Sequence, residues 1–306
     1  MHIKIGTRGS KLALWQAYHV EDKLKAAGAT TQVIIIHTKG DKIQDRSLSK
    51  IGSKGVFTEE LEEQLLSGQI DIAVHSAKDL QSDLGENFEV IAFMEREKVN
   101  DVLVSHKKLD LSKKLTVGTS STRRVAMLKA HYPEVNIVDM RGNLQTRIAK
   151  MEKGDCDALL LAYAGVHRMD YHHMVQEVLD ENVFTPAVGQ GSVAIEAASN
   201  LTQAKLVFVR RTCNHGQTET CLLAERAFLK TVNGGCSIPV FGNATLTPEN
   251  AISLNAGITS LNGKDTLRVK EIGVDPILLG KSVGEELLKQ GGSEILKEIR
   301  KTLEES

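Results

Sequence analysis

Short apolar runs alternate along this chain with segments whose apolar residues recur every three or four positions. The runs lie at 33–36, 70–74, 136–138 and 158–162. Each has the length and composition of a buried strand. One helical stripe consists of Ala13, Ala17, Val20, Leu24 and Ala27, and Gly28 follows where such a helix ends. This alternation predicts an α/β fold with largely parallel sheets.

Three short motifs recur in the same order in two parts of the chain. IGT at 5–7, TKGD at 38–41 and GQID at 68–71 are matched by VGT at 117–119, MRGN at 140–143 and GDCD at 154–157. The matches predict two lobes of one design, near 1–94 and 98–188, although βαβ turns also share such residues by chance. Open α/β sheets bind ligands beyond the carboxyl ends of their strands, so we expect a cleft between the lobes. The polar stretch 43–57 is either a solvated loop or a lid over that cleft.

The last third of the chain has a different pattern. A helical pattern from 218 to 232 places Cys221, Ala224 and Phe228 on one side. Strand-like segments follow, and then a single charged helix from 282 to 305. This order predicts a small α+β domain at the C-terminal end of the chain.

The charge balance limits the classes of partner. The chain has 306 residues, of which 38 are basic and 39 acidic, so general binding of nucleic acid is not expected. Met1–Ile5 has the pattern of a strand rather than of a signal peptide, and no apolar run is long enough for a membrane span. Four cysteines in a chain of this length do not make a disulfide framework. We therefore expect free thiols in a reducing cytoplasm.

Basic and hydroxyl side chains gather at three turns that follow predicted strands. These turns are GTRGSK at 6–11, GTSSTRR at 118–124 and RGNLQTR at 141–147. Backbone N–H groups and hydroxyls at a helix N-terminus bind anions, and arginine adds a bidentate grip on carboxylates. N-capped helices with solvated arginines are the alternative interpretation of each turn. Three such turns in matching lobes favour a ligand with several negative groups.

The segment VHSAKDL at 74–80 ends an apolar strand, so Lys78 and Asp79 are expected at a strand's carboxyl end. A carboxylate in an arginine-lined cleft is held ionised and can stabilise a developing cation or accept a proton. A salt-bridged loop aspartate is the alternative. His75 is interpreted as a packed histidine rather than as a base.

One cysteine stands in an unusual setting, NGGCSIP at 233–239. Two glycines remove side-chain bulk ahead of Cys236, and Pro239 stiffens the segment after it. The thiol is either accessible to a large partner or an ordinary buried cysteine. Cys213, His215, Cys221 and Cys236 lack the paired spacing of a structural zinc site, so no metal is expected.

Taken together, the motifs resemble the porphobilinogen deaminase family of tetrapyrrole biosynthesis, nearly from end to end. The matching segments are IGTRGSKLALWQA, TKGD, GSKGVFTEELE, HSAKD, VGTSSTRR, RGN, PAVGQG, ERAFL and NGGCSIP. The resemblance implies a transferase that joins four porphobilinogen molecules head to tail into hydroxymethylbilane and releases ammonia. It also implies a dipyrromethane cofactor, made from the substrate itself and bound to Cys236 through a thioether.

The resemblance further assigns roles to individual residues. It gives the catalytic role to Asp79. It assigns cofactor binding to Lys78, Thr119, Ser120, Ser121, Arg123 and Arg124. It assigns substrate binding to Arg8, Ser10, Arg141, Arg147, Arg168 and Gln190. The chain departs from common family residues at Leu80-Gln81, Thr122, Thr185 and Ser237, and the first of these departures suggests a less rigid turn after Asp79.

The implied fold has three domains: 1–94 with 189–211, then 98–188, then 214–306. The first two resemble periplasmic binding proteins, and the protein is expected to act as a cytoplasmic monomer without nucleic acid or membrane partners. Two other classes remain open on the residues alone. One is a two-lobed receptor for a small polyanion, which needs neither Cys236 nor Asp79. The other is a zinc-dependent hydrolase with Cys236 as a ligand.

Overall fold

The computed structural model describes residues 1–38, 58–110, 114–235 and 237–305. The first lobe is built on the sheet order β2-β1-β3-β10-β4. Its strands are β1 (His2–Arg8), β2 (Thr30–Ile36), β3 (Ile72–Ser76), β4 (Phe88–Phe93) and β10 (Val193–Ala198). Its helices are α1 (Lys11–Ala26), α2 (Glu59–Leu66) and α6 (Gln203–Cys213). Apolar residues on both faces of the sheet are buried, which explains the continuous apolar runs.

The second lobe repeats this arrangement with the sheet order β7-β6-β8-β5-β9. Its strands are β5 (Asp101–Val104), β6 (Thr116–Gly118), β7 (Asn136–Val138), β8 (Ala158–Ala162) and β9 (Val175–Val178). Its helices are α3 (Thr122–His131), α4 (Leu144–Glu152) and α5 (Tyr163–Arg168). The repeated motifs occupy equivalent places: IGT at 5–7 lies at the end of β1, and VGT at 117–119 spans the end of β6 and the residue after it. The internal repeat predicted from the sequence is confirmed.

Each sheet contains one strand that runs against the other four. In the first lobe β10 pairs antiparallel with both β3 and β4, and in the second lobe β5 pairs antiparallel with both β8 and β9. β5 is the strand by which the chain enters the second lobe, and β10 is the strand by which it returns to the first. The prediction of largely parallel sheets is therefore confirmed, apart from one reversed strand in each lobe.

The C-terminal unit is an antiparallel sheet covered by helices. Its elements are α7 (Gly216–Thr231), β11 (Val240–Leu246), β12 (Ile252–Thr259), β13 (Thr266–Gly273), α8 (Pro276–Leu287) and α9 (Ser293–Glu304). The prediction of a single helix from 282 to 305 is wrong. Gly291 has a φ of 108°, which no α-helix contains, and it separates α8 from α9.

Buried polar contacts join the C-terminal unit to the two segments that connect the lobes. Glu225 of α7 is fully buried and pairs with Arg96, whose Nη1 lies 2.6 Å from Glu225 Oε1. The same carboxylate accepts hydrogen bonds from the backbone N–H groups of Gly189 and Ala244, each at 2.8 Å. One side chain therefore contacts both interlobe segments and β11.

No helix in the described ranges is long and apolar enough to cross a membrane. The suggested lid, 43–57, and the suggested attachment residue, Cys236, lie outside the described residues. The domain boundaries 1–94 with 189–211, 98–188 and 214–306 remain a prediction. The position of β10 within the first sheet is consistent with the expected return of the chain near residue 189.

Candidate active site

A cavity of about 90 Å³ lies where β1 and β3 end. These two strands are parallel neighbours, so their carboxyl ends meet at the same edge of the sheet. Arg8, Ser10, His75 and Asp79 line the cavity. The Ser10 hydroxyl also caps α1 by accepting a hydrogen bond from the Ala13 N–H at 3.3 Å. The structure thus brings together three side chains that the sequence assigned to substrate binding and catalysis.

Asp79 closes a short 3₁₀ turn, Ala77–Asp79, that follows β3 directly. The carboxylate is exposed, whereas Ala77 and Leu80 on either side of the turn are buried. Gly189 lies in the segment by which the chain returns to the first lobe, and its backbone packs against the Ala77–Asp79 turn. Gly189 has a φ of 77°. A Cβ at Gly189 would lie 2.8 Å from the carbonyl carbon of Ala77. Only glycine permits this close approach, which positions the turn that carries Asp79.

Gln81 is one of the residues at which the chain departs from the common family sequence, and it holds the segment that follows this turn. Its side-chain amide donates to Thr58 Oγ1 at 3.4 Å, and its carbonyl accepts from Arg226 Nη2 at 2.9 Å. The suggestion that the turn after Asp79 is less rigid remains a prediction, but these contacts hold it from both sides.

Lys78 extends from the first lobe towards the arginines of the second. Burial, and after it the charge of Arg124, lower the pKa of its ammonium group to about 8, against opposing effects of Asp79 and Asp101. Desolvation disfavours the charged form of an ammonium group, and nearby positive charges disfavour it further. Lys78 therefore belongs to one electropositive cluster that spans both lobes.

Arg123 and Arg124 begin α3 and share one buried counter-ion, Asp101. Arg123 Nη2 lies 2.7 Å from Asp101 Oδ2, and Arg124 Nη2 lies 2.7 Å from Asp101 Oδ1. Burial alone would raise the pKa of Asp101, but the two guanidinium groups hold it down at about 2. One carboxylate against two guanidinium groups leaves a net positive charge. Arg123 Nε is also buried without a hydrogen-bond acceptor among the described residues.

Gln190 is buried and joins this group rather than facing the cavity. Its amide nitrogen donates to Asp101 Oδ1 at 3.0 Å and to the Val99 carbonyl at 2.6 Å. Its amide oxygen lies 3.4 Å from Arg124 Nη2. In this arrangement Gln190 bridges the interlobe segments and orients Asp101.

The first three hydroxyl side chains of GTSSTRR, those of Thr119, Ser120 and Ser121, all make local contacts. Thr119 Oγ1 accepts from the Ser121 N–H at 3.3 Å, Ser120 donates to the Met140 carbonyl, and Ser121 caps α3. The capping role that was the alternative interpretation is thus present. It does not exclude anion binding, since the N-terminus of α3 still presents its helix dipole at this point.

The remaining predicted arginines lie around the same cleft. Arg147 donates from Nε to the Gly142 carbonyl at 2.7 Å, and Arg141 donates to Asp139 at 3.0 Å. Burial, and after it the charge of Arg124, lower the pKa of Arg147 to about 10, while Asp79 acts in the opposite direction. Arg168 of α5 donates to the Gly191 carbonyl at 2.7 Å and stacks over the ring of Trp15 at 5.2 Å. Arg168 therefore joins the second lobe to α1 of the first.

Sequence reasoning missed the buried acids of this region, Asp101, Glu196 and Glu225. Asp101 and Glu196 interrupt or border apolar strands, and that position is the one signal that marks them in the sequence. A charge among buried strand residues requires a partner, and here the partners come from distant segments.

The described cysteines are buried in separate places. Cys213 packs in the first-lobe core and Cys221 in the core of the C-terminal unit. Burial raises the pKa of the Cys213 thiol to about 12 and that of the Cys221 thiol to about 11. Within the ranges that the structure describes, no three side chains of His, Cys, Asp or Glu are grouped to hold a metal ion.

Fold and site define a two-lobed α/β protein with an electropositive cleft, an exposed carboxylate at its edge and a small α+β unit behind it. Residues 3–205 match the family model described as porphobilinogen deaminase, dipyromethane cofactor binding domain, and residues 219–289 match the C-terminal domain of the same family. The porphobilinogen deaminase of Cytophaga hutchinsonii is 56% identical and that of Desulfosudis oleivorans 50%, with coverage of 98% or more of each chain. The chain belongs to the porphobilinogen deaminase family.

Among solved structures, the periplasmic VFT2 domain of Bordetella pertussis BvgS is 14% identical, with a TM-score of 0.43. The match covers 69% of this chain and 86% of that domain.

Proposed function

We propose that this chain is a hydroxymethylbilane synthase, a transferase of tetrapyrrole and haem biosynthesis. It joins four porphobilinogen molecules head to tail and releases one ammonia for each. The observation that carries this proposal is the position of Asp79, an exposed carboxylate facing an electropositive cluster that contains Lys78, Arg124 and Arg147. Each porphobilinogen bears an acetate and a propionate, so the growing chain accumulates the charges that such a cluster binds.

The electropositive cluster fits a dipyrromethane cofactor with several carboxylates. The Nε of Arg123 lacks a hydrogen-bond acceptor among the described residues, and the charge of Arg124 disfavours the charged form of Lys78. Both features favour the binding of additional negative charge. Cofactor binding therefore involves Lys78, Thr119, Ser120, Ser121, Arg123 and Arg124, with covalent attachment at Cys236. When bound, the dipyrromethane supplies the first pyrrole α-carbon to which a substrate unit is added.

Arginines nearer the cavity bind the substrate. Arg8 and Ser10 line the cavity beside Asp79, and Arg147 approaches Asp79 from the other lobe. Arg141 and Arg168 extend the positive surface, and Gln190 acts by holding Asp101 between the arginines.

Asp79 stabilises the positive charge that develops on the substrate pyrrole as the carbon–nitrogen bond breaks. A fixed carboxylate in a cleft partly shielded from water stabilises such charge more strongly than water does. Lys78 and Arg147 each interact electrostatically with Asp79.

We also propose the domain organisation, the oligomeric state, the location and the substrate of the protein. The domains are 1–94 with 189–211, 98–188 and 214–306, and the enzyme acts as a cytoplasmic monomer on small-molecule porphobilinogen. Size-exclusion chromatography with light scattering measures the oligomeric state, and a dimer mass would contradict the monomer.

Intact mass spectrometry of the denatured protein, with peptide mapping, tests the function. After incubation with porphobilinogen, the mass should increase by two deaminated units on the peptide containing Cys236. Cys236→Ser should show no such increase and no turnover. Reversible binding of porphobilinogen, without covalent loading or ammonia release, would instead indicate a receptor.

A further inference from the structure

A buried histidine and a buried glutamate lie side by side at the wall of the cavity that holds Asp79. His75 Nε2 is 2.9 Å from Glu196 Oε2, and the two side chains are 5% and 0% exposed. His75 stands on β3, and Glu196 is its diagonal neighbour on β10. The two side chains are in contact without an aligned hydrogen bond, since neither His75 Nε2 nor either Glu196 oxygen has a hydrogen-bond partner among the described residues.

The ring of His75 has its other nitrogen available. Nδ1 makes no hydrogen bond to any described residue, and His75 lines the cavity together with Arg8 and Asp79. A carboxylate beside Nε2 favours the tautomer with the proton on Nε2, which leaves Nδ1 as an acceptor. A carboxylate-oriented imidazole of this kind is a common proton acceptor in enzymes.

Charged groups from several elements surround the pair. Glu62 of α2 has its pKa raised by burial and further by Glu196, whereas Thr58 and His75 act in the opposite direction. Arg226 of α7 is a second cation near Glu196, and burial lowers its pKa while Glu196 opposes this. On the cavity side the charged groups are Arg8 and Asp79, and Lys78 precedes Asp79 in the same turn. Glu196 thus lies between Arg226 and His75, and of these two side chains His75 lines the cavity.

The proposed reaction requires two different groups at this place. Asp79 has to remain negative to stabilise the cationic pyrrole. Each coupling also releases a proton from the pyrrole α-carbon that forms the new bond. If Asp79 held that proton, it would lose the charge on which its first role depends.

We propose that His75, held by Glu196, is the proton acceptor of the coupling step. This inference rests on the function proposed above. A carbon–carbon bond forms between the methylene carbon of the deaminated unit and the free α-carbon of the chain-end pyrrole. The C–H bond at that α-carbon then breaks, its electrons restore the aromatic pyrrole, and the proton passes to Nδ1 of His75. Glu196 balances the imidazolium, which returns the proton to the ammonia released in the same cycle.

The test uses porphobilinogen carrying hydrogen or deuterium at its free pyrrole α-carbon, both to load the cofactor and as the substrate. Both must carry the label, because the proton is lost from the pyrrole at the chain end. Chain extension is followed by rapid quenching and mass spectrometry. His75→Gln should slow extension by about 10²-fold or more. It should also introduce a primary deuterium isotope effect larger than that of the unaltered enzyme, because proton removal becomes the slow step. A residue with a merely structural role would slow extension without changing the isotope effect.

Two further variants make the result decisive. Glu196→Gln keeps His75 and should show a smaller loss with the same rise in isotope effect, which also tests the inference if His75→Gln fails to load cofactor. His172→Gln, at a histidine that is 60% exposed in the second lobe, should behave as the unaltered enzyme. An isotope effect unchanged in both His75→Gln and Glu196→Gln would overturn the proposal. Failure of the unaltered chain to make hydroxymethylbilane would instead overturn the proposed function.

Discussion

At the scale of single residues, the proposed catalytic role of Asp79 can be tested without a loss of stability. Its side chain is exposed on a turn whose neighbours Ala77 and Leu80 supply the burial. Asp79→Ala should therefore lower the rate of ammonia release by about 10³-fold, the order expected when a charge that stabilises the transition state is removed. Thermal unfolding should be unchanged. Asp83→Ala removes an exposed acid close by and should leave the rate intact.

Normal ammonia release by Asp79→Ala would contradict the assignment. A large fall in unfolding temperature would show that the carboxylate has a structural role that its exposure does not reveal.

Lys78 should give the site an alkaline limit. The pKa of its ammonium is lowered to about 8 from an ordinary 10.5, so Lys78 is charged below about pH 8 and neutral above it. The rate at which cofactor-free chain loads from porphobilinogen should fall as the pH rises through this value, because a neutral amine does not attract carboxylates. Lys78→Arg keeps the charge at higher pH and should move the fall upward.

The comparison of Lys78→Arg with the unaltered chain is essential, because a free cysteine thiol ordinarily titrates at about 8.5, in the same pH range. Coincident loading curves for the two proteins would show that Lys78 does not set the limit.

At the scale of elements, close packing of α8 against α7 supports the segment that leads to Cys236. A Cβ at Gly280 would lie 2.7 Å from Ala227 Cβ and would overlap the Ala224 carbonyl oxygen. Gly280→Ala should therefore destabilise the protein by about 1–3 kcal/mol through overpacking. Gly216→Ala is the matched control, since no atom lies within 4 Å of a Cβ there and no positive φ is required. Chemical denaturation measures both, and equal stability of the two variants would contradict the packing argument.

The elements also show how much of the fold could be predicted from the sequence. Strands β7 and β8 and helices α1 and α7 agree with their patterns within a few residues, because their burial produces the expected periodicity. The break between α8 and α9 was missed, since Gly291 stands within an otherwise continuous helical pattern. The turns with Arg8, Asp79 and Arg124 were found because strand ends concentrate chemistry at one sheet edge. Their buried partners Asp101 and Glu196 were not, because pairing across distant strands leaves no local signal.

At the scale of the whole molecule, Glu225 connects the C-terminal unit to the segments between the lobes. Its carboxylate pairs with Arg96 and accepts from the backbone of Gly189 and Ala244, while Arg96 Nε donates to the Gln190 carbonyl at 2.8 Å. The returning segment that contains Gly189 also packs on the turn of Asp79. The C-terminal unit is thus linked through buried contacts to the turn that carries Asp79.

Glu225→Gln should consequently lower the free energy of unfolding by about 3–5 kcal/mol, because it leaves the Arg96 charge without its buried partner. Glu219→Gln provides the control, since Glu219 pairs with a half-exposed Arg210 and such pairs contribute about 1 kcal/mol or less. Urea denaturation measures both differences, and cofactor-loaded protein should show the loss together with slower chain extension. A stability loss without any change in extension would mean that the contact supports folding alone, and that the link between Cys236 and Asp79 runs through other residues. Equal losses in the two variants would show that the buried Arg96–Glu225 pair contributes no more to the free energy of unfolding than the more exposed Arg210–Glu219 pair.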